Sequence, residues 1–135
     1  PTVRPKTSPL INNKSFKNKA ILFFLDAHFP KADFHKITYE ESISTYKEDA
    51  FPLLKEIKTI KKHRDISKDC FIIDDWKLYD PDQAYEFGGW EYKDLQDSLG
   101  LKTCSSEILE NFKDTHNFQI ALRHQGFLFA TPKYE

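Results

Sequence analysis

Several things are scarce in this sequence, and each scarcity excludes a class of function. Methionine is missing from all 135 residues and the chain opens on Pro1, so we expect a piece of something longer. Cysteine occurs twice, at Cys70 and Cys104, far apart and without CxxC spacing. Thiols so placed make neither a disulfide framework nor a zinc site and read as small buried hydrophobes. That usage suits a reducing, cytoplasmic compartment. No apolar run approaches the roughly 20 residues of a membrane-spanning helix, and the polar, proline-rich start is unlike a signal peptide; no membrane partner is expected. Only four glycines are present, with neither GxxxxGK nor GxGxxG among them. Gly88-Gly89 alone is a weak phosphate-loop signal, which argues against a Walker-type phosphoryl-transfer domain. An excess of one charge is also lacking: 20 basic against 21 acidic side chains leave a net charge of -1, so nothing draws the whole molecule to nucleic acid. The basic string KTIKKHR at 58–64 reads as the wet face of an amphipathic helix.

What is present suffices for a core. Apolar residues make up 39% of the chain, including twelve Phe, enough for folding although 30% of residues are charged. At this length one domain is the simplest division.

Residues 1–19, rich in Pro, Lys, Asn and Ser without a period, read as an extended lead-in or linker, and 20–135 as the folded α/β part. Ile21 to Ala27 is a continuous apolar run, which suits a strand buried on both faces of a parallel sheet. Residues 29–48 form a polar insertion expected to turn helical after Thr38. Phe51, Leu54, Ile57 and Ile60 then recur at three-residue steps, which predicts an amphipathic helix with Pro52 in its first turn and Asp49 as its cap. Cys70 to Asp75 is a second apolar strand, completing a strand, helix, strand unit of parallel type. EFGGWE at 86–91 reads as a loop. Ser105 or Ser106 is expected to cap a short helix running through Phe112, and 118–132 reads as a hairpin turning at Gln125-Gly126.

Both apolar strands stop on acid. Asp26 follows Leu25, and Asp74 with Asp75 follows Ile73. In open α/β sheets ligands bind beyond the carboxyl ends of the strands. If the two strands are neighbours, three carboxylates converge, a costly arrangement unless protons or a cation offset the charge. An oxygen-only set favours Mg²⁺, Ca²⁺ or Mn²⁺. Acids at strand ends also cap helices and bind loop amides, and that role stands beside the metal one. His28, two residues past Asp26, is the candidate general base, because imidazole titrates near neutrality. Trp76, Tyr79, Phe87 and Trp90 either line an apolar substrate pocket or cover the sheet edge. His35, His63, His116 and His124 sit in polar contexts where an exposed histidine is the default.

The strings ILFFLDAHF, PLLKEIKTI, FIIDDWKLYD and THNFQIALRHQGFLFATP, in this order over about residues 20–132, resemble the C-terminal half of class I S-adenosylmethionine-dependent methyltransferases. The acids also resemble those of the cation-dependent O-methyltransferases. The resemblance implies a Rossmann-like three-layer sandwich, mostly parallel with a C-terminal antiparallel hairpin, and incomplete as a domain. It implies Asp26, Asp74 and Asp75 as ligands of Mg²⁺ or a similar cation, S-adenosylmethionine as methyl donor, and a small hydroxylated, sugar-like substrate. His28 falls where the sugar enzymes carry an Asp as base. The glycine-rich loop and ribose-binding acid of that family have no counterpart in this sequence. The donor half would therefore come from missing sequence or another copy, unless the chain is a degenerate relative. The alternative is a non-catalytic Rossmann-like module for binding or assembly.

Overall fold

Four apolar residues of the first run form β1 (Leu22–Leu25) in the computed structural model, which describes residues 18–26, 36–83, 86–87, 90–91 and 101–133. Most of the lead-in, the start of the polar insertion and His28 lie outside those residues. The described chain continues through α1 (Tyr39–Tyr46), a 3-10 turn (Lys47–Ala50), α2 (Leu53–His63), β2 (Cys70–Asp74) and a second 3-10 turn (Trp76–Leu78). β3 (Glu86–Phe87), β4 (Trp90–Glu91), α3 (Leu101–Glu110), β5 (His116–Ala121) and β6 (Phe127–Pro132) follow.

Helix α1 begins at Thr38 for a local reason. The Thr38 hydroxyl accepts a hydrogen bond from the Glu41 backbone N–H at 3.1 Å, and the Glu41 carboxylate accepts one from the Thr38 N–H at 2.7 Å. This reciprocal capping box satisfies two amide donors that a helix start leaves bare. Thr38→Ala is expected to cost about 1 kcal/mol of stability, read as a lowered urea midpoint; an unchanged midpoint would show that the cap is redundant.

Asp49, expected to cap α2, does not. Pro52 occupies the cap position with no side-chain hydrogen bond to the helix. Asp49 is drawn into the 3-10 turn and pairs instead with Lys55 at 2.6 Å. Nor do the serines cap α3: the helix starts at Leu101, so Ser105 and Ser106 are interior. The helical spacing of Leu101, Cys104 and Ile108 outweighs their capping preference. Within EFGGWE, expected to be a loop, Glu86–Phe87 and Trp90–Glu91 form the two-residue strands β3 and β4, which pair antiparallel to each other.

The main sheet has the order β1-β2-β6-β5. β1 and β2 are parallel, as the strand, helix, strand pattern predicted. The other two pairs are antiparallel, because the hairpin of β5 and β6 lays β6 against β2. The expected C-terminal antiparallel hairpin is present, but with one parallel pair among its three the main sheet is mixed, where a mostly parallel one was expected, and the fold is a small α/β arrangement.

Burial also departs from expectation. Phe23 and Leu25 on β1, Phe71 and Ile73 on β2, and Leu128 and Ala130 on β6 join one core with Ile57 and Ile60 of α2, Ile108 of α3 and Phe112; Ile43 and Tyr46 of α1 pack against it. Phe71 stacks on Phe23 with ring centroids 5.0 Å apart and tilts against Phe112 at 4.8 Å. Burying each such side chain stabilises by roughly 1.5–3 kcal/mol. All three helices thus serve one face. On the opposite face Leu22 and Phe24 are 63% and 55% exposed, so among the described residues β1 is covered on one side only and the third layer is not seen. A continuous apolar run signals two buried faces only when elements lie on both, and sequence period does not report that.

Candidate metal centre

The parallel register aligns Leu25 with Ile73, so the next residues, Asp26 and Asp74, leave the sheet side by side at its carboxyl edge. Side chains alternate along a strand, which would send Asp74 and Asp75 to opposite faces if the chain stayed extended. It does not: Asp75 adopts a left-handed conformation, with φ 54° and ψ 39°. Asp tolerates this region better than most residues, at a cost of roughly 1–2 kcal/mol.

The bend is held from two directions. Asp74 Oδ1 accepts a hydrogen bond from the Asp75 N–H at 2.8 Å. Just beyond, the Trp76 and Lys77 amides donate to the carbonyls of Gly126 and Gln125, at 3.1 and 3.0 Å, in the turn between β5 and β6. Gly126 is itself left-handed, with φ +83°, and a Cβ there would sit 3.2 Å from Lys77 Cγ. Gly126→Ala is expected to destabilise the chain by about 1–2 kcal/mol, measured as a fall in melting temperature. An unaltered melting temperature would mean that the two turns do not support each other.

The outcome is a cluster in which one oxygen from each of Asp26, Asp74 and Asp75 lies within 4.8 Å of the others. Asp26 is exposed, Asp74 half-buried and Asp75 buried. Oxygens bound to one Mg²⁺ or Ca²⁺ at about 2.1–2.6 Å are at most roughly 4–5 Å apart, so the spacing fits a shared hard cation. The electrostatics agree. Burial, chiefly, pushes the Asp74 carboxyl up to about 6, against the hydrogen bond from the Asp75 amide, and the charges of Asp75 and Asp26 push the same way as burial. A carboxylate that burial and two neighbouring acids both disfavour is one that a cation would stabilise.

Trp76 and Tyr79, expected near a substrate, are buried beside one another in the core, 1% and 3% exposed, with ring centroids 6.0 Å apart. The Trp76 indole N–H has no hydrogen-bond partner among the described residues. Burial above all, then the proximity of Cys104, Glu56, Asp75 and Asp26, raises the Tyr79 hydroxyl well above the ordinary phenol range, so it stays neutral. Trp90 supplies backbone to β4. Gly126, the one glycine among the described residues, belongs to the hairpin turn, so those residues offer no glycine-rich cradle that fits S-adenosylmethionine.

At the opposite end of β1 and β2 lies a polar group that the sequence did not announce. The Arg64 guanidinium donates to both oxygens of Asp69, at 2.7 and 2.9 Å, and to the Lys19 carbonyl at 2.6 Å. Asp69 also accepts from the Ile21 N–H at 2.9 Å. His116, expected at the surface, is buried: its Nε2 lies 2.7 Å from the Asp69 carbonyl and its Nδ1 2.7 Å from the Thr115 hydroxyl. The available signal was alternation, since His116, Phe118 and Ile120 share one strand face. Two shallow hollows of about 350 and 290 Å³ flank Arg64 and Asp65, and neither is lined by the acidic cluster.

No protein-family model, curated protein or solved structure matches this chain. Among the described residues no helix is long and apolar enough to cross a membrane.

Proposed function

We propose that the chain binds a divalent cation through Asp26, Asp74 and Asp75 and uses it in metal-assisted O-methylation of a small hydroxylated, sugar-like substrate. The observation that carries the cation is the convergence of three carboxylates on one sheet edge. Methyl transfer rests on the resemblance of the strand sequences to class I methyltransferases. When bound, the cation would orient a substrate hydroxyl and lower its pKa. The three aspartates hold that charge in place, His28 takes the hydroxyl proton, and Trp76 and Tyr79 back the acidic turn from the core; Trp90 is a substrate-binding residue in this reading only by its place in the sequence. S-adenosylmethionine is the donor in this reading, and its binding half comes from another copy or further chain.

A second reading, a non-catalytic binding or assembly module, is favoured by the hydrogen bond from the Asp75 amide to Asp74, which gives that carboxylate work without a metal. Calorimetric titration separates the two. Mg²⁺ or Mn²⁺ is expected to bind once per chain, and no heat at millimolar cation would overturn the metal site. S-adenosylmethionine, titrated separately, supports methyl transfer if it binds; no binding by the chain or its oligomer favours the module.

A further inference from the structure

We draw no further inference here: the strongest candidate, the apolar face of the sheet around Leu22 and Phe24 that the helices leave exposed, carries none because nothing in the structure shows what covers it.

Discussion

Asp69→Ala is expected to destabilise the chain by about 3–5 kcal/mol, the usual consequence of stranding one member of a buried ion pair. For a domain of this size that corresponds to a fall in melting temperature of roughly 10–20 °C. Arg64 and Asp69 side chains are 3% and 0% exposed, so the substitution takes the carboxylate partner from a largely buried guanidinium and removes the acceptor of the Ile21 amide. That amide lies immediately before β1, so the loss also loosens the entry to the parallel pair. The double variant Arg64→Leu, Asp69→Leu is expected to lose less than the sum of the two single changes, since it removes both charges together. A loss below about 1 kcal/mol for Asp69→Ala would show that Arg64 finds solvent, and that the network is an ornament of the surface.

The Asp74→Asn, Asp75→Asn double variant is expected to lose cation binding altogether while keeping the fold. Asn preserves the acceptor that Asp74 offers the Asp75 amide, and it tolerates the left-handed conformation required at the second position. In the parent, Mg²⁺ is expected to raise the melting temperature by mass action; in the variant it should not. Binding to the parent should weaken as pH falls through about 6, where Asp74 takes up its proton.

Without metal, the direction reverses. The Asp74 carboxyl titrates near 6 in the fold and near its ordinary 3.8 when unfolded. Below the lower value both states are protonated, and above the higher one both are ionised, with the folded state bearing the penalty. Parent stability therefore falls as pH rises from about 4 to 6. The single variant Asp74→Asn escapes that loss and should be the more stable protein at pH 7, by about 1 kcal/mol once solvent screening of a half-exposed group is allowed for. Urea titrations at pH 4 and pH 7 with and without Mg²⁺ measure both effects. Equal stability of variant and parent at pH 7, together with an undiminished Mg²⁺ response, would remove Asp74 from the metal site.

Much of the architecture was legible because its causes are local. Ile21 to Leu25 and Phe71 to Ile73 are apolar runs too short for helices, and they become the parallel pair. The three-residue spacing of Leu54, Ile57 and Ile60 becomes α2, and Gln125-Gly126 marks the turn between β5 and β6. Cap positions were less legible. Asp49 and Ser105 have the right chemistry, but Lys55 competes for the first and upstream helical spacing absorbs the second.

For the candidate site, the sequence by itself determined which residues carry the charge: acids directly after two apolar strands, with oxygen the only donor atom among them. Whether those acids meet was decided by tertiary structure alone. Alternation along β2 would part Asp74 from Asp75, and only the left-handed turn at Asp75, braced by Gly126 and Gln125 from a hairpin about fifty residues downstream, leaves both beside Asp26. His116 shows the same division, since its burial comes from the imidazole reaching the Asp69 carbonyl and packing edge-on against Phe71 and Phe112. Periodicity records which side of an element is apolar; what lies against that side is fixed by contacts distant in sequence, and no local pattern encodes them.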